Sequence, residues 1–396
     1  MRVLHITHLY PRHYDGLLGI AMHKQIMALE AQGCMNKVIS PIPWTPFLIK
    51  YLSQKWKLYS QVPFYNIING IEVYYPRYLE FPKAFLFSYS GMRMYLGIQK
   101  LVKVIEETFP FDIIHAHMGL PDGYAGMCVS LQFKKPLIVT IQGTDVDITA
   151  NRSKRCLLTL RNVLNYASKV ITPSPRLAKA VASKFGIEPC LIGYGINILD
   201  VIRAKSELLS NYKNWRILLS VSRLIKTKGI DFNIYALKSL VNKHKNLLYI
   251  IVGDGPERYN LEKLVQSLDL TKYVRFVGTM PYNKVMEYMA ICEVFTLPSW
   301  QETFGLVYIE AMAHGKPVVA VQGQGVDGIV VHGETGLLVK PRDINSLVEA
   351  LDFLLSHPDE ARAMGERARE VVLANYTWEK IAEKTIAVYR EVLNER

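Results

Sequence analysis

The sequence predicts an α/β protein built as two doubly wound domains in series. Three observations carry that expectation. The chain has 396 residues, more than one hydrophobic core commonly supports. Apolar, β-rich runs alternate with helical patterns from one end to the other. That alternation lapses once, near residues 198–214, and then restarts.

In the first series, strands are expected at residues 3–7, 37–40, 71–75, 112–116, 137–141 and 169–172. Helices are expected between them at 20–32, 85–108, 123–133 and 175–185. Runs such as LIVTI (137–141) and DIIHA (112–116) lack period-two alternation, as strands of a parallel sheet covered on both faces do. The second series has strands at 216–222, 247–252, 274–277, 294–297 and 317–321, then helices at 344–356, 358–375 and 378–393. The expected domains are therefore 1–200 and 201–377, with 378–396 as a terminal helix. Doubly wound sheets bind ligands at the carboxyl ends of their strands, so the loops there are the places to look.

Half of the residues are hydrophobic and 21% are charged, the composition of a globular protein. No apolar run reaches the roughly 18–20 residues that cross a bilayer. Residues 1–6 read as a strand rather than a signal peptide, so the expected location is cytoplasmic. The five cysteines have no metal-ligand or disulfide-framework spacing, which fits a reducing compartment. Charge is uneven. Residues 1–200 hold 22 Lys and Arg against 12 Asp and Glu, whereas residues 201–396 hold 25 against 23. The basic first half implies an anionic partner.

The most informative segment is 298–320, PSWQETFGLVYIEAMAHGKPVVA. Thr303, Phe304 and Gly305 open a helix that ends near His314-Gly315. Glu302 lies just before that helix start and Glu310 about two turns into it. As bare chemistry, two such glutamates are commonly a solvated pair. The whole stretch, however, resembles the E-x7-E segment of the retaining family 4 glycosyltransferases, almost position by position. Membership implies the GT-B fold: two Rossmann-like domains facing across a cleft. It also implies that Glu302 contacts the transferred sugar, that Glu310 holds the ribose hydroxyls, and that Phe304, Gly305 and Leu306 line the substrate.

Further segments resemble the family in the expected order. Arg223 and Lys228, in SRLIKTKG, match the cations that neutralise the donor diphosphate. Gly253, in the turn GDGP, matches the nucleotide pocket. The loop 323–327 stands where the family usually has G-G-x-P-E and departs from it. In the first half, Gly16 and Gly19 match the glycine loop that closes over the diphosphate. His117, the second histidine of HAH, matches the residue presented to the sugar, and His115 reads as structural. Asp145, in QGTD, matches the acceptor-side H-G-x-D segment, with Gln142 in place of histidine. Residues 376–382 resemble the start of the family's last helix, which returns to the first domain.

The resemblance thus implies a retaining transfer from a nucleotide-sugar to an acceptor hydroxyl, with neither metal nor other cofactor. The acceptor class it implies is a cell-surface polysaccharide or lipid-linked glycan. Two readings of other kinds compete: a nucleotide-sugar epimerase of the same fold, and a basic nucleic-acid-binding module. The joint presence of R-x4-K and E-x7-E disfavours the first, and no nucleic-acid motif supports the second. Residues 44–59 combine two Trp, two Tyr, one Phe and three Lys with no acid. That mixture fits peripheral contact with an anionic membrane on its inner face.

Overall fold

A computed structural model describes residues 1–16, 18–46, 51, 53–203 and 212–395. The chain forms two compact units. The first comprises Met1–Pro173, Leu177–Tyr194 and Trp378–Arg396; the second comprises Ser174–Arg176 and Gly195–Thr377. Part of the expected linker, residues 204–211, lies outside the described residues, as do 47–50 and 52 of the aromatic, basic segment.

The strands of the first unit are β1 (Arg2–Ile6), β2 (Met35–Ile39), β3 (Ile42–Pro43), β4 (Tyr65–Ile68), β5 (Ile71–Tyr74), β6 (Arg77–Tyr78), β7 (Ile113–Ala116), β8 (Leu137–Thr140), β9 (Lys169–Thr172) and β10 (Cys190–Leu191). Eight of them form one sheet in the order β10-β9-β8-β7-β1-β2-β5-β4, and β3 pairs with β6. Every residue of β7 and β8 is buried, which is why their sequences show no alternation. Ile114 and Val139 lie in the core on these neighbouring strands. Cutting such a side chain back to alanine costs about 2–5 kcal/mol.

Among the described strands β4 is the one antiparallel partner, pairing with β5 through the tight turn Asn69-Gly70. Both turn residues have positive φ, 50° and 87°, the pattern of a two-residue hairpin for which Asn-Gly is the favoured pair. That edge strand was missing from the predicted set, although its turn was written in the sequence. The last helix, Trp378–Asn394, belongs to this unit. It packs on helix Ile20–Ala31, where Gln25 Nε2 donates to Thr385 Oγ1 at 3.2 Å.

The second unit holds β11 (Arg216–Val221), β12 (Leu247–Val252), β13 (Val274–Gly278), β14 (Val294–Thr296), β15 (Val318–Val321) and β16 (Leu337–Val339). They form an all-parallel sheet in the order β13-β12-β11-β14-β15-β16. The winding reverses between β11 and β14, so the loops after them flank the crevice where such sheets take ligands. The helices at Ile344–Ser356 and Pro358–Asn375 follow. Among the described residues no helix is long and apolar enough to cross a membrane.

Candidate active site

In the second unit, three loops converge at the carboxyl ends of β12, β11 and β14. The loop after β11 carries Arg223 and a short 3-10 turn, Lys226–Lys228. The loop after β12 carries Gly253 at φ 128°. A Cβ there would stand 1.9 Å from the Ser222 carbonyl oxygen, so the approach of these two backbones requires glycine. Leu224 N donates to Asp254 O at 2.9 Å, and Trp300 N to Thr227 O at 3.0 Å. The three loops are thereby tied by main-chain bonds, independent of side-chain identity.

Glu302 ends the loop after β14. Lys228 Nζ donates to Glu302 Oε2 at 2.7 Å, joining two segments that are 74 residues apart. Its backbone is held as well: Glu302 N donates to Gln324 Oε1 at 3.2 Å, and Gly325 N to Glu302 O at 3.0 Å. The loop 323–327 therefore positions the glutamate from behind. Gly305, at φ 86°, turns the chain into helix Leu306–Ala313, three residues later than the predicted start. Phe304 is buried against Tyr376. Glu310 lies mostly buried on that helix, where its Oε1 accepts from the Tyr282 hydroxyl at 3.0 Å. Burial and the Glu310 carboxylate together push the Tyr282 phenol far up, so it stays a donor. Arg223 is exposed, with no carboxylate partner among the described residues.

In the first unit, Gly16 and Gly19 follow β1, His117 follows β7, and Asp145 follows β8; all three strands are adjacent. Gly19 has φ 66°, and a Cβ on it would meet the Leu9 carbonyl at 2.2 Å, whereas Gly16 has open space. Only Gly19 is required by the backbone. Asp145 is fully buried, with Oδ1 accepting from Gly119 N at 2.8 Å and Oδ2 from Gln142 N at 2.9 Å. Burial pushes its carboxyl up to about 6, against the pull of those backbone donors. It binds the loops after β7 and β8 together rather than presenting a carboxylate outward. Asp122 does the same between β7 and β1: its Oδ1 accepts from His8 N at 3.2 Å and His8 Nδ1 at 2.8 Å.

His117 is part of a chain of neutral rings. Asn36 Nδ2 donates to Glu30 Oε2 at 2.7 Å and to the Cys34 carbonyl at 3.2 Å. Its Oδ1 must then accept from His5 Nε2–H, at 3.0 Å. His5 Nδ1 is left as an acceptor for His117 Nε2–H, at 2.9 Å. The network thus assigns His117 an unprotonated Nδ1, which is buried and has no hydrogen-bond partner among the described residues. His115 is held between Tyr389 Oη at 2.6 Å and Thr140 Oγ1 at 2.7 Å. Burial depresses all three imidazoles, that of His5 to about 4. Their nitrogens lie within 4.8 Å of one another, a spacing that admits a metal ion. The donor set, however, is already committed: both nitrogens of His5 and of His115 are hydrogen-bonded.

Two family models match the chain in succession: Glycosyltransferase Family 4 over residues 33–198 and Glycosyl transferases group 1 over residues 202–371. The chain is a family 4-type glycosyltransferase of GT-B fold. This glycosyltransferase is 28% identical over 358 residues to TuaC of Bacillus subtilis, a protein assigned to teichuronic acid biosynthesis, covering 89% of this chain and 88% of that one. It is 27% identical to the N-acetyl-alpha-D-glucosaminyl L-malate synthase of Bacillus anthracis over 312 residues, 76% of this chain and 80% of the other. Among solved structures, Anabaena Alr3699/HepE in complex with UDP matches with a TM-score of 0.75 at 20% identity, over 99% of this chain and 100% of that one. Sucrose-phosphate synthase from Thermosynechococcus elongatus matches with a TM-score of 0.77 at 24% identity, over the full length of both.

Four positions in the glycosyltransferase escaped sequence reasoning. Tyr282 reaches Glu310 from 28 residues away with no motif of its own, and Gln324, in the family-like loop 323–327 but given no role there, reaches Glu302 from 22 residues away. His5 sits 112 residues from its partner His117. Asp122 had one legible signal, an acid in an otherwise apolar stretch after a buried strand.

Proposed function

We propose that this glycosyltransferase is a retaining, metal-independent hexosyltransferase that moves a sugar from a UDP-sugar, or failing that a GDP-sugar, to an acceptor hydroxyl. The observation that carries the donor reading is the 2.7 Å contact of Lys228 with Glu302. It brings the cation of one motif and the carboxylate of another to a single point beside a helix start. As the sugar leaves, charge grows on the diphosphate. Arg223 and Lys228, with the backbone N–H groups of helix Leu306–Ala313, are the groups suited to neutralise it, the task a divalent ion performs elsewhere. Glu302 then positions the sugar, while Glu310, oriented by Tyr282, takes the ribose hydroxyls. UDP bound by the structurally similar Anabaena protein supports a uridine donor.

On the first unit, His117 offers an acceptor atom at a strand end, and Gly19 a backbone turned into a helix start. The pathway we propose is cell-surface polysaccharide or lipid-linked glycan assembly, at the inner face of the membrane, which the basic first unit favours. The test is saturation-transfer NMR with UDP-, GDP- and ADP-sugars, with and without EDTA. Binding of one nucleotide-sugar undiminished by EDTA is expected; binding that needs a divalent ion overturns the metal-independent mechanism. The anomeric coupling constant of the transferred sugar then tests retention.

A further inference from the structure

The first unit contains a cavity of about 690 Å³, within the range that takes a disaccharide-sized ligand. Among the described residues, the glycine loop is the one segment resembling the family's donor motifs that reaches it, through Leu18. Its wall is mixed aromatic and cationic. Trp56, Tyr59 and Phe81 supply aromatic side chains, with Arg12 over the Tyr59 ring at 5.3 Å, while His8, Arg12, Lys55 and Arg152 supply the basic groups. The one carboxylate in the lining, Glu80, is taken by Arg93 at 2.8 Å. Helix Gln54–Gln61, which carries Lys55, Trp56 and Tyr59, has no buried residue. Its aromatic and basic side chains thus face this space instead of the core.

Arg12 is the decisive group. It is only 8% exposed, and its guanidinium donates to the His8 carbonyl at 2.8 Å and to the Tyr14 hydroxyl at 3.0 Å. Its Nε has no acceptor, and among the described residues no carboxylate pairs with it. A guanidinium buried without a counter-anion is costly unless a ligand brings one. His8 adds a donor to the same cavity, its own charge answered by Asp122. Burial lowers its basicity, but the charge and hydrogen bond of buried Asp122 outweigh that and raise it overall. Asp122 holds Nδ1, and no described residue occupies Nε2.

We propose that this cavity is the acceptor site, and that it takes an acceptor whose hydroxyl lies next to a phosphate or carboxylate on a sugar or polyol ring. The anion meets Arg12 and His8, with Lys55 and Arg152 at the edge, and the ring lies against Trp56 and Tyr59. This rests on the glycosyltransferase reading, and it specifies the acceptor that reading leaves open.

The experiment uses the full chain without nucleotide, titrated by calorimetry with octyl glucuronide and with octyl glucoside. The glucuronide is expected to bind at least tenfold more tightly. Arg12→Gln should remove that preference, with its fold checked by thermal unfolding. Should that variant fail to fold, Lys55→Gln and Arg152→Gln, at exposed positions, should each weaken glucuronide binding about threefold. Vesicles of phosphatidylinositol in phosphatidylcholine form a second arm: binding of both probes assigns the anion to a lipid headgroup, and of the glucuronide alone to a free glycan. Equal affinity for glucuronide and glucoside overturns the proposal, as does a preference that survives Arg12→Gln. UDP-glucose titrated into the same protein separates this outcome from failure of the donor reading.

Discussion

The two units share a winding scheme but expose charge to different degrees at their strand ends. In the second unit the groups after β11 and β14 are ionised and partly exposed: Arg223 stands open, and Lys228 meets Glu302 at 2.7 Å. In the first unit the imidazoles of His5 on β1 and His117 just past β7 are neutral, buried and bonded to each other, while the cation Arg12 stands further along the loop after β1. A departing diphosphate needs fixed positive charge near it. A sugar hydroxyl needs only an oriented acceptor, and a low-dielectric setting makes that single bond count. The same winding thus places an exposed cation and an ion pair at strand ends of one unit and a buried neutral histidine pair at those of the other.

The largest effect that sharpens this contrast concerns the charged side. Lys228→Ala or Arg223→Ala should each lower kcat about 10²–10³-fold, and stopped assays of sugar transfer read this directly. If added Mg²⁺ restored the rate fully, a metal rather than the side chain would be the natural neutraliser.

The neutral side makes a pH prediction of nearly the same size. Burial holds His5 deprotonated down to about 4, whereas in the unfolded chain it titrates near 6.5. Between those values the unfolded state binds a proton that the folded state does not. The contribution of His5 is therefore full above pH 6.5 and is lost as pH falls toward 4, by about 3 kcal/mol. Urea unfolding across that range should show a steeper loss for the wild type than for His5→Gln. Parallel curves would mean that the ring is not held neutral.

Smaller effects test the buried carboxylate. Glu310→Ala should weaken UDP binding roughly 10–100-fold, the worth of a charged hydrogen bond or two, with little change in kcat at saturation. Tyr282→Phe should weaken it only about 3–10-fold, since the carboxylate stays and loses only one donor. Calorimetry with UDP checks both, and a tyrosine effect equal to the glutamate effect would make Tyr282 a direct ligand.

How much of this was legible differs between the units for a physical reason. Glu302, Gly305 and Glu310 lie within nine residues of sequence, so a local pattern records their geometry. Gly253 and Gly19 were likewise readable, because a positive φ and a backbone contact leave glycine as the only residue that fits. His5 and Asn36 left no pattern, because parallel strands bring together residues separated by whole βα units, and the signals at Asp122 and in the loop of Gln324 gave no partner for the same reason. Asp145 read as a substrate contact, yet its burial made it a clamp between two loops.

By itself, then, the sequence determined the class of fold, eleven of the sixteen described strands, and the family. Those properties follow from hydrophobic periodicity and from motifs written locally along the chain. The tertiary structure alone decided which nitrogen of His117 is bare, what orients Glu302 and Glu310, and where an unpaired arginine meets an aromatic wall. Each of these depends on hydrogen bonds and desolvation between distant segments, and neither is a property of any stretch of sequence taken alone.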